Sequence, residues 1–364
     1  MRDDICGPES ESLLRPQDDT RIIERERERE RGITRHDFSS ITSFENLFQS
    51  WREFLCDKKK RKDVEQFSIN LFENIASLRK DLIEKKYTHQ KYVAFRINDP
   101  KPRSIHKATV RDRLLHHAIY RILYPYFERR FIYDSYSCRV NKGTHRAVQR
   151  FEFFSRKVSR NGTRNCWILK CDIRKFFATI DHAVLKKVLS KHITDPDILC
   201  LLDRVINSFS TEGKINVGLP LGNLTSQLLV NVYMNEFDYF MKRKLKVKFY
   251  IRYADDFAIL SEDKEFLEKL LPKISDFLET ELKLQLHPDK VFIKTLASGV
   301  DFLGWVHFPK YKVLRTTTKR RMFKRLSVES KKETIASYLG LLSHGNAHKI
   351  ASEIRKSSVD NSFQ

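Results

Sequence analysis

The sequence predicts an α/β (α+β) protein, and three observations carry that prediction. Short apolar runs such as Trp167–Asp172 (WILKCD) and Tyr250–Leu260 (YIRYADDFAIL) have strand length and end on, or enclose, acids. Between them lie longer stretches with apolar residues three and four apart, the spacing of amphipathic helices. With 364 residues and 41% hydrophobic content, the chain can bury a large core spread over two or three subdomains. Strands interleaved with helices exclude a simple bundle, and no internal repeat is visible.

Taken in order, residues 1–40 read as an extension, expected to be disordered. Glu24–Arg31 alternates as ERERERER, either a solvated helix of opposite charges three and four apart or no fixed structure. Order is expected from Thr42, where TSFE offers a capping box. Phe44, Leu47, Phe48 and Trp51 then share a helical face. Lys58–Lys62 (KKKRK) is a basic loop, and a second helix is expected from about Val64 to Lys85. Residues 92–106 look extended. Helices are expected at about 111–130 and 145–159, joined by YDSYSCRVNKGTH. The strand WILKCD follows, then helices at about 182–190 and 195–209. A glycine-rich loop, GKINVGLPLGN, opens a long helix from Leu224 to Lys244. Two strands flank YADD, a helix covers about 263–282, and short strands cover 291–295 and 300–306. From Thr318 the chain is basic and helical.

The charge balance narrows the partners. Lys and Arg number 69 against 47 Asp and Glu, a net +22. Such a surplus predicts a polyanion, because clustered Lys and Arg release phosphate counterions; a ribosomal protein or an anionic-membrane binder would share it. Aromatics at 12% exclude a disordered basic tail protein. The six cysteines, Cys6, Cys56, Cys138, Cys166, Cys171 and Cys200, form no C-x-x-C pair, which argues against zinc and for a reducing cytoplasm. No apolar run reaches membrane-spanning length and no signal peptide opens the chain, so no membrane partner is expected.

Two adjacent aspartates, Asp255 and Asp256, sit inside the apolar YIRYADDFAIL run. Alone, such a pair is most often a turn. Asp172, at the end of WILKCD, changes the reading: strands adjacent in one sheet would bring it within reach of Asp255. Three carboxylates at strand ends suit two Mg²⁺ ions, which about 3.5–4 Å apart clamp the attacking and leaving oxygens of a phosphoryl transfer. Metal would then neutralise acids that the apolar segment otherwise disfavours.

An acid-ended strand followed by FFATID, GLPLGNLTSQ, YADD and FLG, in that order over residues 40–345, resembles reverse transcriptases. The resemblance implies a right-hand polymerase with fingers, a ferredoxin-like palm and a short helical thumb. It divides the chain into an extension (1–40), N-terminal helices and fingers (41–165), palm (166–308, with fingers–palm segments at 195–222) and thumb (309–364). It implies Asp172, Asp255 and Asp256 as catalytic acids, with Asp172, Ile173, Asp255 and Asp256 holding two Mg²⁺, Mn²⁺ being an alternative. For the incoming dNTP it implies Lys101 and Arg103 on the phosphates, where Arg suits bidentate contact. Phe177 would be the wall against a sugar 2′-OH, unless it packs in the core, a part Phe176 can play. Leu221, Gly222 and Gln227 would line the nucleotide, and Lys290 would be either a general acid toward pyrophosphate or a salt bridge. Phe302, Leu303 and Gly304 match the primer grip. Asp112 and Arg113 read as structural, and Asp181 with His182 as a helix cap.

One departure narrows the resemblance. Most reverse transcriptases read Q-G-x-x-x-S-P where this chain has Leu221, Gly222, Asn223, Leu224, Thr225, Ser226 and Gln227. Leu cannot donate the hydrogen bond that the usual Gln gives, so discrimination falls, about tenfold per 1.4 kcal/mol. This pattern is similar to the reverse transcriptases of diversity-generating retroelements, although those more often carry Met in place of the Ala of YADD. The resemblance implies error-prone copying of a template-repeat RNA into cDNA mutated opposite adenine, from a DNA or RNA primer. It also implies a small basic accessory protein that forms a pentameric barrel. Two other readings stay open: a retron-like or abortive-infection defence reverse transcriptase, and a nucleic-acid-binding protein on a dead polymerase scaffold. After Gly304 only 364 − 304 = 60 residues remain, which suits a short thumb without maturase, endonuclease or RNase H domains. The basic tail, with Lys319, Arg320, Arg321, Lys324 and Arg325, would track a template–primer duplex or be a solvated helix face.

Overall fold

The computed structural model describes residues 37–98, 102–328 and 332–360 and is a mixed helix-and-sheet protein. Regular structure starts earlier than the sequence suggests. Helix α1 (Phe38–Thr42) begins within the expected extension, and Asp37 caps it through the Ser40 N–H. Helix α2 (Phe44–Phe54) is capped by Ser43, whose hydroxyl accepts the Asn46 N–H at 3.1 Å. Thr42 is not the cap because its backbone still belongs to α1, and its hydroxyl donates back to the Phe38 carbonyl. The expected helix from Val64 to Lys85 is two, α3 (Lys62–Ile69) and α4 (Leu71–Ile83). Asn70 leaves the helical region there (φ −114°, ψ 51°), and Asn74 bridges the break by donating to the Phe67 carbonyl.

Strands β1 (Val93–Ile97) and β2 (Arg103–Lys107) form an antiparallel, mostly exposed hairpin. Helix α5 (Val110–Glu128) buries Leu114, Leu115, Ala118, Ile119 and Leu123 in the main core and packs along α2. Then come α6 (Thr144–Val158), β3 (Trp167–Asp172), α7 (Phe176–Thr179), α8 (His182–Ser190), α9 (Pro196–Asn207) and α10 (Leu224–Tyr239). The last ends in a π-helical turn at Phe240–Lys244, where the sequence predicts uninterrupted α-helix. Strands β4 (Tyr250–Tyr253) and β5 (Asp256–Ser261), helix α11 (Lys264–Thr280) and β6 (Phe292–Thr295) complete the central part.

The central sheet has the order β4-β5-β3-β6, all antiparallel. Strand alternation divides its side chains between two cores. Leu169, Cys171, Tyr250, Phe257 and Ile259 join the large core with Phe237 of α10 and Ile274 of α11. Ile168, Ile251, Ala258 and Leu260 join a second core with Phe151 and Phe154 of α6. A one-residue slip would exchange the two sets, so burial on both faces pins the register.

Residues 300–306, expected as one strand, are a hairpin: β7 (Val300–Phe302) turns through Leu303 and Gly304 into β8 (Trp305–His307), and β9 (Lys312–Leu314) adds a third strand. Leu303 (φ +51°) and Gly304 (φ +90°) both take the positive φ of a type I′ turn. Helices α12 (Thr316–Val328), α13 (Lys332–Leu342) and α14 (His348–Asp360) close the chain. Gly345 sets their approach to the sheet: a Cβ there would stand 2.1 Å from the Trp305 ring. Among the described residues no helix is long and apolar enough to cross a membrane.

Asp112 is structural, as expected. Fully buried, it accepts from the Tyr87 hydroxyl at 2.8 Å, the Thr109 hydroxyl at 2.6 Å and the Gln90 N–H at 3.2 Å. Arg113 pairs with Asp63, which also holds Lys107. Asp112→Ala would strand the buried Tyr87 hydroxyl, so we expect a loss of about 2–4 kcal/mol in urea unfolding.

Candidate active site

The central sheet brings the three acids together. Asp172 pairs directly opposite Asp256 in the β3–β5 ladder, which puts both side chains on one face. The Ile173 N–H donates to the Asp255 carbonyl at 3.1 Å, so the strand end and the hairpin turn are bonded. Ala254 and Asp255 form that two-residue turn, with Ala254 at φ +54°. Unbroken strand alternation would place Asp255 on the face of Ile251 and Tyr253. The turn breaks the alternation, and Asp256, paired with Tyr253, continues that face.

Each end of this carboxylate group meets a lysine. Lys290 Nζ donates to Asp172 Oδ1 at 2.8 Å, so of its two expected roles the salt bridge is the one seen. Lys170, buried two residues before Asp172 on the same strand face, lies 3.1 Å from the Asp256 carboxylate. The ammonium stands 3.1 Å from both oxygens, its hydrogen bond directed to Oδ2 and Oδ1 meeting it as an ion pair only. Burial pushes the Asp256 carboxyl up to about 6 despite Lys170, and Asp255 and Asp172 add to the rise. Burial, then Asp172, also raises Asp255, while its own backbone N–H, Lys290 and Arg103 oppose the rise. Two adjacent acids, both raised by burial and by their acidic neighbours, fit a site that gains from a cation. With Asp172 and Asp256 each engaged by a lysine, no three acidic, His or Cys side chains among the described residues form a ready-made metal cage.

Among the described residues, the other expected ones make no hydrogen bond to the acids, and several are fixed by backbone bonds to neighbouring segments. Arg103, on the exposed hairpin, acts on Asp255 across the gap, whereas Lys101 lies outside the described residues. The Leu219 N–H donates to the Phe177 carbonyl at 2.8 Å. Phe176 is buried in the core and Phe177 half-buried, their rings edge-on at 5.6 Å, so Phe176 does the core packing. The Leu221 carbonyl accepts the His106 N–H at 3.0 Å, and Asn223 donates to the His106 carbonyl at 2.8 Å, tying this loop to β2. Gly222 has φ +101°, and a Cβ there would stand 2.8 Å from the Ile105 side chain. Gln227, half-buried in the first turn of α10, shares its carbonyl with Asn231. Phe302, Leu303 and Gly304 lie apart on the three-stranded sheet, where the Gly304 carbonyl accepts the Arg315 N–H at 3.0 Å. Asp181 caps α8 as expected; His182 is buried and bonds the Gly218 carbonyl at 2.7 Å instead.

The sequence reading missed Lys170, and it missed the group that fixes the turn. Arg252 is fully buried and forms a two-pronged pair with buried Asp238 of α10, Nε to Oδ1 at 2.8 Å and Nη2 to Oδ2 at 2.6 Å. The same guanidinium donates to the Ala254 carbonyl at 3.1 Å and to Ser135 Oγ at 3.0 Å. Tyr250 donates its hydroxyl to Asp238 at 2.7 Å. An arginine in an otherwise apolar strand was the available signal. Arg252→Ala would leave Asp238 buried without a counter-charge; an expected cost of about 3–5 kcal/mol is readable by denaturant unfolding, with Arg252→Lys losing less.

Comparison with known proteins identifies the family. Residues 90–307 match the family described as Reverse transcriptase (RNA-dependent DNA polymerase). Protein YkfC of Escherichia coli K12 is 28% identical over 271 residues, 62% of this chain and 69% of YkfC. The group II intron-encoded protein LtrA of Lactococcus lactis is 24% identical over 335 residues, 74% of this chain. The match spans 53% of LtrA, about half of its length. Among solved structures, apo telomerase from Candida tropicalis, truncated from its C-terminal domain, aligns with a TM-score of 0.46 at 13% identity, over 67% of this chain and 60% of that one.

Proposed function

This chain belongs to the reverse transcriptase (RNA-dependent DNA polymerase) family, and on that premise we propose that it copies a template-repeat RNA into error-prone cDNA within a diversity-generating retroelement. The observation that carries the chemistry is the ladder pairing of Asp172 with Asp256, with Asp255 bonded to the same strand end. We assign Asp172, Asp255 and Asp256, with Ile173 through its place beside them, to a pair of divalent cations, Mg²⁺ or Mn²⁺. When bound, such ions neutralise the acids and stabilise charge on the attacking and leaving oxygens. Arg103 offers a fork of donors to the triphosphate. Lys290, at Asp172, is the candidate proton donor to the departing pyrophosphate. The half-buried Phe177 ring would exclude a ribose 2′-OH. The primer would rest on the Phe302–Gly304 turn.

Leu221 supports the mutagenic subtype. Its carbonyl is held by His106 of the fingers hairpin, and its side chain has no donor to offer a nucleotide. The partners that follow are the template RNA, a DNA or RNA primer, dNTPs, the cDNA product and a small basic pentameric accessory protein. A retron-like or defence enzyme is the second reading, favoured by Ala254 in place of the more usual Met.

Primer extension on an RNA template, with the products sequenced, tests both levels. Asp255→Asn and Asp256→Asn should each lose DNA synthesis by several orders of magnitude while retaining RNA binding; extension at full speed by either variant would refute the assignment. Leu221→Gln should lower misincorporation opposite adenine by about tenfold. An unchanged error spectrum would remove Leu221 from the explanation, and accurate copying by the unmodified protein would favour the second reading.

A further inference from the structure

Strand β8 has a turn at each end. One is the Leu303–Gly304 turn. The other, Phe308–Tyr311, faces away from it and borders a cleft of about 550 Å³ between α6, the β8–β9 turn and the segment joining α13 to α14. None of the residues assigned above to polymerisation lines this cleft.

Its rim presents a fixed aromatic face. The Phe308 N–H donates to the Tyr311 carbonyl at 2.8 Å, closing the turn, and Pro309 restrains its second position. The Phe308 ring is seated against Gly299, where a Cβ would come within 2.8 Å of it. Tyr311 stacks on Phe308, centroids 4.8 Å apart at 22°, and is 49% exposed. One ring face is thus backed and the residue is half open to solvent. Little conformational entropy remains to be lost when a flat group stacks on it.

Cations surround this face. Lys310, exposed at the tip of the turn, and Arg156, exposed on α6, both line the cleft. Lys312 and Glu152 pair with each other, so the one acid in the lining is already engaged. Deeper in, His307 is buried against Phe151 with its Nδ1 3.8 Å from Glu152, and belongs to the floor of the cleft. The floor is rigid: the Asn346 N–H donates to the Lys312 carbonyl at 3.0 Å, and Gly345 lies against Trp305. A backed aromatic ring beside exposed cationic side chains is the combination that holds a stacked base and its phosphates. A duplex hides its base faces and could use only the charges.

We propose that this cleft binds single-stranded nucleic acid, one base stacking on Tyr311 and the adjoining phosphates meeting Lys310 and Arg156. It is a second contact for the unpaired strand, separate from the carboxylate centre and independent of catalysis.

Fluorescence anisotropy with the full chain, a labelled single-stranded oligouridine and a blunt RNA–DNA hybrid tests it. Tyr311→Ala should weaken oligouridine binding roughly tenfold, and Tyr311→Phe should retain it. Arg156→Gln with Lys310→Gln should lower the slope of log affinity against log salt by about 1.4, two single-strand phosphate contacts. The blunt hybrid should bind Tyr311→Ala as it binds the unmodified protein. Equal losses on both ligands would overturn the proposal in favour of a duplex track. No loss on either would overturn it outright. Polyglutamate binding with the same Tyr311 dependence would overturn it in favour of an acidic protein partner. Asp255→Asn should keep oligouridine binding whether or not the acids are catalytic, so this test stands apart from that of the polymerase reading.

Discussion

The Arg252–Asp238 pair is the constraint on which the active-site geometry rests. One guanidinium joins four parts of the chain: its own strand, helix α10 through Asp238, the 134–137 segment through Ser135, and the aspartate turn through the Ala254 carbonyl. Backbone bonds double the link, since the Arg252 N–H donates to the Asp134 carbonyl and the Tyr136 N–H to the Arg252 carbonyl. A buried pair of this kind adds little net stability against an apolar substitute, because desolvation offsets its Coulomb gain. What it supplies is definition. A turn with a non-glycine residue at φ +54° stores strain, and it persists where its surroundings over-determine it.

The acids beside the turn show the opposite economy of charge. Arg252 and Asp238 satisfy one another, whereas burial and repulsion from neighbouring acids raise both Asp255 and Asp256, and the hydrogen bond from Lys170 is directed to only one of the Asp256 oxygens. Lys170 and Lys290 moderate the repulsion without removing it. The polypeptide therefore keeps part of this site electrostatically unsatisfied while satisfying the support behind it. Such a contrast is expected where stability is given up to bind something positive.

Much of the fold was legible because the periodicities were clean. The strands around WILKCD and YADD, the long α5 and α10, and the grouping of Asp172 with Asp255 and Asp256 follow from alternation and from acids at strand ends. The misses have local causes. Asn70 breaks a helix whose apolar spacing runs on past it, and Leu303 takes a positive φ that nothing in its side chain announces. The cap fell on Ser43 because α1 had already claimed Thr42. Lys170 and Arg252 were visible as charges in apolar strands, but their partners, 86 and 14 residues away, are set by the register and by the packing of α10. Sequence can mark such a charge as needing a partner without naming it.

The junction between hairpin and sheet unites the remaining pieces. β2 reaches the 221–223 loop through three contacts, none of which uses the side chain at 221: the His106 N–H to the Leu221 carbonyl, the Asn223 side chain to the His106 carbonyl, and the Ile105 side chain against Gly222. These contacts hold the loop whatever side chain occupies position 221. The fold therefore tolerates Leu where relatives of the common pattern carry Gln, and the change falls on what the side chain offers a ligand. Under the proposed function, a position held by its main chain can change what its side chain offers a ligand at little cost to folding, and that is the part assigned to Leu221.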